Sequence, residues 1–407
     1  MALIEPRFRG LFLPVFALFT LFGTSMTVIG ATLPKILATF HWDYLTAGIV
    51  LGAGAVAYFV STFVAGHLIK RWGSRPTFLL ALTLIVAGLA FFATTPDPAA
   101  NTLLSALIGL GQGGVEVGLN ATILRMDERN TGRLMNLLHG AFAVGAIVGP
   151  FAVGMLMQSG FDWAFVYRGM AGIFALLAVL MGFASLPSVQ PEAAEHHPTR
   201  ERLSANPAYW LSFFALFLYV GVELGVSNWV AEYFVVVFAY PPDASAMLVS
   251  LFWLGLLVGR FGMPLLDKGS RPEAALVGLS ALATVSIALL MLLGAMTVSP
   301  VTVNVGMGLL FLAGLGCSIY YPTVMTLIGA CFPRSQSQVV GFAATGGGIG
   351  AFVFPFLMSS IAQDFGIRAG FATYGVFAAG MTLVCLWLAV IVTARRNATE
   401  AASLARS

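Results

Sequence analysis

The sequence predicts an all-α polytopic membrane protein with twelve transmembrane helices in two pseudo-symmetric six-helix bundles. Hydrophobic residues make up 59% of the 407 residues and charged residues only 9%, which is too few charges to solvate a water-soluble fold. The apolar residues form about twelve stretches, each near the ~20 residues that a membrane-crossing helix needs. The tetrapeptide Gly-Ser-Arg-Pro at residues 73–76 recurs at residues 269–272, 196 residues later, as expected for a duplicated unit.

The apolar stretches are predicted to be helices because backbone groups in lipid need internal hydrogen bonds, and a barrel strand would alternate apolar with polar residues. The first stretch follows Arg7 and Arg9 but is too long for the core of a signal peptide, so we interpret it as the first helix. In chain order, the predicted spans cover roughly residues 10–36, 45–68, 77–97, 101–124, 134–158, 164–186, 208–238, 244–266, 273–297, 300–329, 338–362 and 369–394.

The spans divide into two halves around the most polar stretch of the chain. Residues 1–186 are the predicted N-terminal bundle, 187–207 a cytoplasmic linker, and 208–407 the C-terminal bundle with a short cytoplasmic tail. A second matched pair supports the duplication, since Gly145 with Pro150 in the first half corresponds to Gly350 with Pro355 in the second. Six spans therefore belong to each half.

The distribution of cations predicts the orientation. With a cytoplasmic N-terminus, 17 of the 20 Lys and Arg residues fall on the cytoplasmic side, and Lys35, Arg168 and Arg368 remain for the other face. The positive-inside rule then places both termini in the cytoplasm, in a protein integral to the cytoplasmic (inner) membrane. The net charge of +3 reflects this bias of the loops and gives no reason to expect a nucleic-acid partner.

Polar side chains inside the predicted spans mark the candidate site. A charged group near the bilayer centre costs about 2.5–3.5 kcal/mol on insertion scales, so an apolar chain keeps such groups mainly where they have a function. Gln112, Glu116 and Asn120 follow at intervals of four residues in the middle of the fourth span, on one helix face. The alternative is that these groups only join helices through hydrogen bonds.

The seventh span repeats this spacing of polar groups around a second carboxylate. Its candidate residues are Tyr219, Glu223, Ser227, Asn228 and Trp229. Further aromatic candidates are Trp253, Tyr320 and Tyr321, although aromatic residues also serve bundle packing and membrane interfaces. Glu232, nearer the outer end of the seventh span, is either part of this site or an interfacial carboxylate at a helix end.

The chemistry of these groups points to transport of a hydroxylated solute. A carboxylate in a low-dielectric cavity can bind and release a proton near neutral pH, and in its ionised form it can help to coordinate Na⁺. Amide, phenol and indole groups supply directional hydrogen bonds for hydroxyls and an aromatic face for the apolar side of a sugar ring. The combination favours a sugar as the substrate.

Several motifs carry a family resemblance over essentially the whole chain. Residues 66–75 resemble the signature that the major facilitator superfamily carries between its second and third helices, except that Lys70 stands where Asp is usual. Within that superfamily, the chain is most similar to the fucose–galactose–glucose permease group, which includes sodium-dependent glucose carriers. The stretches that carry this second similarity are residues 109–120, 136–142, 219–223 leading to Trp229, and 314–322.

The resemblance implies the major facilitator fold and assigns roles to the candidate residues. Glu116 would serve coupling and sugar recognition with Asn120 beside it, and Glu223 and Trp229 would line the C-terminal half of a central cavity. Glu116 and Glu223 are accordingly the two candidate ion-coupling carboxylates.

The resemblance also implies a cytoplasmic gate at the signature turn. In the family, the signature Asp helps to close the cytoplasmic side. Arg71, Gly73 and Arg75 keep their places here, and Arg271 occupies the repeated turn of the second half. Asp267, near that second turn, is the candidate to replace the missing acid.

These observations lead us to expect a secondary active transporter that imports a hexose-type sugar with H⁺ or Na⁺ by alternating access, with a central site between the two bundles. Fucose permeases carry an acid on the first helix, whereas this first span offers only hydroxyl groups, which keeps Na⁺ open as the coupling ion. We expect no cofactor and no bound metal other than the coupling ion. A monosaccharide and the lipid bilayer are the expected partners, and a monomer is the expected state.

Two other functions need to be compared with the sequence. The pattern Gly145-x-x-x-Gly149-Pro150-x-x-x-Gly154 resembles a fifth-helix pattern of antiporters and favours a proton-coupled exporter of drugs or metabolites, although close helix packing explains it equally well. An intramembrane enzyme would need a nucleophile with its base, or metal ligands at membrane depth, and no motif supports either. We therefore expect that the protein is not an enzyme.

Overall fold

The computed structural model describes residues 8–126, 133–184, 186, 203–266, 271–332 and 335–404, and the regular structure of these residues is helical. A short 3₁₀ turn at Leu203–Ala205 precedes the second half. The helices are α1 (Arg9–Phe40), α2 (Tyr44–Trp72), α3 (Ser74–Phe91), α4 (Pro98–Met126), α5 (Arg133–Gln158), α6 (Trp163–Phe183), α7 (Pro207–Phe238), α8 (Pro242–Leu266), α9 (Pro272–Leu293), α10 (Pro300–Cys317), α11 (Tyr320–Cys331), α12 (Gln336–Phe365) and α13 (Ile367–Leu404).

Twelve helical segments of the described chain are long and apolar enough to cross a membrane, which confirms the predicted all-α class with twelve spans. Most helices begin where the sequence gives a start signal. Proline, whose missing N–H costs nothing in the first turn, is the first residue of α4, α7, α8, α9 and α10. Asp43 and Asp162 cap α2 and α6 by accepting hydrogen bonds of 2.7 Å from the backbone N–H groups of Thr46 and Ala164.

The predicted tenth span is interrupted, because α10 and α11 together form the segment Pro300–Gly329 and break at residues 318 and 319. Pro322 accounts for the break. It has no N–H to donate to the Ser318 carbonyl, so that oxygen loses its helical partner. A hydrogen bond from Nε of Arg260 on α8 reaches the Ser318 carbonyl at 3.4 Å and replaces it.

The chain forms two compact units. Unit 1 comprises Met1–Glu195 together with Val230–Val235 and Tyr240–Ser250, and unit 2 comprises His196–Trp229, Val236–Ala239 and Leu251–Ser407. Unit 1 therefore includes the facing ends of α7 and α8 in addition to α1 to α6. Most of the predicted linker, residues 187–202, lies outside the described residues.

Matched glycines give the two halves of the chain the same close helix contacts. In unit 1, a Cβ added to Gly145 on α5 would collide with the backbone carbonyl of Thr20 on α1. In unit 2, a Cβ added to Gly350 on α12 would collide with the carbonyl of Phe217 on α7. Each glycine thus lets its helix lie directly on the backbone of the first helix of its half, as a duplicated unit requires.

Candidate functional site

Unit 1 holds a polar group of residues around Glu116, which we call the Glu116 cluster: Ser25, Tyr58, Gln112, Glu116 and Asn120. Helix α4 carries three of these residues and packs against α2 and α3. A Cβ at Gly113 would be 2.6 Å from the Tyr58 carbonyl on α2, so the glycine allows the two backbones to approach. This close contact brings the Tyr58 side chain to the carboxylate.

The three polar residues of the predicted α4 stripe have different surroundings. Gln112 is buried and its Nε2 donates a hydrogen bond of 3.0 Å to Oγ of Ser25 on α1. Glu116 is half-buried and its Oε2 accepts a hydrogen bond from the Tyr58 hydroxyl. Oδ1 of Asn120 is buried without a hydrogen-bond partner in the described part of the chain, which leaves an acceptor unfilled.

Glu116 also forms no ion pair with any of the described residues. Tyr58 was not identified from the sequence. The available signal was a phenol in the middle of the second predicted span. The Glu116 cluster can therefore supply one carboxylate, held by a phenol, and amide groups for hydrogen bonding.

Unit 2 holds a second polar group, which we call the Glu223 cluster: Tyr219, Glu223, Ser227, Trp253 and Arg260. Tyr219 and Glu223 are one turn apart on α7, and the Tyr219 hydroxyl donates a hydrogen bond of 2.6 Å to Oε1 of Glu223. One turn further along, Oγ of Ser227 accepts a hydrogen bond of 2.9 Å from Nε1 of Trp253 on α8. The residues predicted to share a face of α7, Tyr219, Glu223 and Ser227, thus all form side-chain hydrogen bonds.

Aromatic rings follow directly after the break between α10 and α11. The Tyr219 ring stacks on Tyr320 with centroids 4.7 Å apart and planes at 1°. Tyr320 is buried, whereas 39% of Tyr321 is exposed, so the candidate Tyr321 offers an accessible phenol. Trp229 is fully buried in the core, and Asn228 is half-buried.

Arg260 belongs to the Glu223 cluster, although the distribution of cations in the sequence places it with the cytoplasmic ones. Its charge interacts electrostatically with both Glu223 and Tyr219. The available signal was a cation inside the predicted span 244–266. A buried carboxylate with a guanidinium nearby gives this cluster both donors and acceptors of charged hydrogen bonds.

A third set of contacts lies within unit 1, near the end of α7 and at the beginning of α8. The Tyr44 hydroxyl on α2 donates a hydrogen bond of 3.2 Å to Oε1 of Glu232, and Lys35 on α1 forms an ion pair with Asp243 on α8. Glu232 is buried, so it is a partnered carboxylate rather than an exposed residue at a helix end.

Three of the predicted gating residues lie at the turn between α2 and α3. Gly73 joins the two helices with φ of +88°, a conformation that favours glycine, and its N–H donates a hydrogen bond of 2.9 Å to the Ile69 carbonyl. Arg71 and Arg75 are exposed on either side and make no ion pair among the described residues. Asp267 lies outside the described residues, and Arg271 is exposed just before α9.

Near Arg271, the structure shows an ion pair that the sequence did not reveal. Oε1 of Glu273, in the first turn of α9, accepts a hydrogen bond of 2.9 Å from Arg396 near the end of α13. Glu273 is buried, and this pair joins the two helices at one end of unit 2. The carboxylate also lies at the positive end of the α9 dipole.

Comparisons with known proteins agree with this architecture. The family model described as Major Facilitator Superfamily matches residues 15–311 and 264–406. The glucose/mannose transporter GlcP of Bacillus subtilis is 23% identical over 409 residues, which cover 96% of each chain. A glucose/galactose transporter of Brucella abortus is 26% identical over 379 residues, covering 87% of this chain and 88% of the relative.

A solved structure shows the same fold at low sequence identity. A D-xylose-proton symporter superposes with a TM-score of 0.73 and 14% identity, covering 94% of this chain and 97% of its own. The curated relatives with glucose, mannose and galactose in their names support the resemblance to the fucose–galactose–glucose permease group. These relatives are named as transporters, in agreement with the expectation that the protein is not an enzyme.

Proposed function

Since the chain belongs to the major facilitator superfamily, we propose that it imports a hexose-type sugar together with H⁺ or Na⁺ by alternating access. The observation that carries this proposal is a pair of carboxylates in membrane-spanning helices, each bound by a tyrosine hydroxyl. Relatives named as glucose, mannose and galactose transporters, aligned over most of their length, support a hexose as the substrate.

The proposed sugar contacts follow from hydrogen-bonding chemistry. In the Glu223 cluster, the carboxylate accepts hydrogen bonds from hydroxyls, and the exposed Tyr321 supplies a phenol and a ring face. The Glu116 cluster adds the unfilled acceptor of Asn120. Neutral sugars need many directional hydrogen bonds, which both clusters can supply.

Coupling is proposed to depend on a membrane carboxylate that gains and loses its cation during the cycle. Glu116 and Glu223 are the candidates, because each lies inside a spanning helix. A carboxylate there binds H⁺ or Na⁺ when the site is open to one side and releases it on the other. The proposal places the protein in the cytoplasmic membrane with both termini in the cytoplasm, as a monomer.

The comparisons do not favour an exporter. The glycine pattern that suggested one is accounted for by packing, since Gly145 lies on the Thr20 backbone and a Cβ at Gly149 would lie 2.6 Å from the Thr24 side chain. Both contacts join α5 to α1 inside unit 1.

Counterflow of labelled sugars in proteoliposomes without an ion gradient tests the substrate before the coupling. Saturable exchange of glucose, galactose or mannose is the expected result, with fucose as a further test substrate and empty liposomes as the control. Absence of exchange for every hexose would contradict the proposed substrate class. H⁺ and Na⁺ gradients applied separately would then identify the coupling ion.

A further inference from the structure

We propose that Arg260 is a substrate-binding residue of the Glu223 cluster, and that it binds sugar hydroxyls together with the Glu223 carboxylate. The inference rests on the proposed sugar transport and names a contact that neither the sequence motifs nor the relatives' names provide. Three features of unit 2 support it: the anchoring of Arg260, its remaining donors, and its separation from Glu223.

The first feature is the anchoring of the guanidinium at the helix break. Pro322 leaves the Ser318 carbonyl without its helical donor, and Nε of Arg260 takes that place at 3.4 Å. One of the five N–H groups of the arginine is thereby engaged. The break thus fixes the arginine in position instead of leaving it as a mobile surface charge.

The second feature is that the other donors of Arg260 have no acceptor among the residues that the structure describes. Apart from the bond to Ser318, the side chain makes no hydrogen bond or ion pair within the described residues, and it is half-buried. Terminal guanidinium nitrogens in a membrane-spanning segment without protein acceptors are costly unless water or a ligand satisfies them. They are therefore available to a transported solute.

The third feature is the geometry of the charges. Arg260 interacts electrostatically with Glu223 and Tyr219, but Arg260 and Glu223 do not form a direct ion pair. Oε1 of Glu223 is bound by Tyr219, whereas its other oxygen has no hydrogen bond in the described part of the chain. An acceptor and donors of opposite charge, all without partners among the described residues, thus interact electrostatically but form no direct ion pair.

A sugar matches this arrangement because each hydroxyl is both a donor and an acceptor. One hydroxyl can donate to Glu223 while it or its neighbour accepts from Arg260, and the charges of the two side chains compensate each other. An anionic sugar acid would instead bind Arg260 and be repelled by Glu223. The pair therefore favours a neutral sugar.

The experiment compares half-saturation of counterflow in wild type, Arg260→Gln, Arg260→Lys and Arg368→Gln. Arg368 is exposed in the first turn of α13 and provides the matched loss of one positive charge in unit 2. For the hexose that wild type exchanges best, Arg260→Gln should raise the half-saturation concentration by at least about tenfold, as expected for a hydrogen bond from a charged donor. Arg368→Gln should behave as wild type.

A substrate series separates direct contact from a structural role. The same measurements are made with the monodeoxy analogues of that hexose. The analogue that lacks the contacted hydroxyl should already be weak in wild type and lose less than about twofold further in Arg260→Gln. Equal losses for every analogue would overturn direct contact and leave Arg260 as a residue that only stabilises the helix break. Arg260→Lys keeps the charge and reports on binding if the glutamine variant does not fold.

Other outcomes also decide the question. Wild-type exchange of hexose with no effect of Arg260→Gln beyond that of Arg368→Gln would overturn this inference and leave the proposed function intact. Exchange of a hexuronate in preference to neutral hexoses, lost in Arg260→Gln, would show that the arginine binds an anion. Failure of wild type to exchange any hexose would remove the proposed function and this inference with it.

Discussion

At the scale of single residues, both membrane carboxylates are held by a tyrosine hydroxyl, but the tyrosines come from different places. Glu223 is bound by Tyr219 on its own helix, as the spacing of four residues predicts. Glu116 is bound by Tyr58 of α2 and by neither Gln112 nor Asn120, its neighbours on the α4 face. Helical spacing therefore predicts the Tyr219–Glu223 pair within α7 but not the Tyr58–Glu116 pair between α2 and α4.

Glu116 lies inside a spanning helix and forms no ion pair among the described residues, which leads to a prediction about coupling. Glu116→Gln should reduce gradient-driven sugar accumulation by at least about tenfold, because an amide cannot bind and release the coupling cation. Exchange of sugar without a gradient should be retained, at least in part, since the amide still forms hydrogen bonds. Accumulation and counterflow measured in the same proteoliposomes distinguish the two effects.

Asp364→Asn is the matched control for that experiment, since Asp364 is an exposed acid near the end of α12. It should leave accumulation and exchange unchanged. Full accumulation in Glu116→Gln would remove Glu116 from the coupling role and leave Glu223 as the remaining candidate.

At the scale of helices, glycines and one proline decide how the elements meet. Gly145 and Gly350 let α5 and α12 lie on the backbones of α1 and α7. Pro322 breaks the tenth span and leaves a carbonyl for Arg260 to bind. The close helix contacts and the helix break do not depend on hydrophobicity. Length and hydrophobicity suffice to identify the twelve spans.

The close contact at Gly350 predicts a stability difference between two glycines of α12. Gly350→Ala should destabilise the protein by about 1–3 kcal/mol, because the added methyl group meets the Phe217 carbonyl. Gly341→Ala is the control, since a Cβ there meets no atom within 4 Å. It should be neutral or stabilising by up to about 1 kcal/mol.

Unfolding of both variants in one detergent, followed against temperature or denaturant, tests this difference. Equal stability of the two variants would mean that α12 can shift away from α7 at little cost. The glycine would then have no role in bringing these two helices together.

At the scale of the whole molecule, the boundary of the two compact units differs from the boundary between the two halves of the chain. The facing ends of α7 and α8 belong to unit 1, where Tyr44 binds Glu232 and Lys35 pairs with Asp243. Side-chain exposures of 31% for Lys35 and 44% for Asp243 make the ion pair accessible to reagents. As an accessible surface pair, it should contribute about 0–1 kcal/mol to stability.

These contacts lead to a prediction about alternating access. If the beginning of α8 moves away from α1 when one face of the protein opens during transport, a linker that joins them blocks the cycle. A short bifunctional thiol cross-linker between cysteines at positions 35 and 243, with the three native cysteines replaced by alanine, should therefore arrest counterflow. Cleavage of the linker should restore it.

The single-cysteine variants treated with the same reagent are the controls and should keep their exchange. Undiminished counterflow with complete cross-linking would show that α1 and α8 stay together throughout the cycle. It would contradict movement at this contact and leave the substrate assignment unaffected.

The sequence by itself determined the fold class, the twelve spans and the two carboxylate faces, because burial in lipid and helical periodicity act on local patterns that can be counted along the chain. Tertiary structure alone decided which groups meet. Tyr58 donates a hydrogen bond to Glu116, Arg260 donates one to the Ser318 carbonyl at the helix break, and Tyr44 donates one to Glu232. Each of these bonds joins residues that are distant in sequence. Such partners depend on which helices pack against each other, and the periodicity of the sequence does not predict that packing.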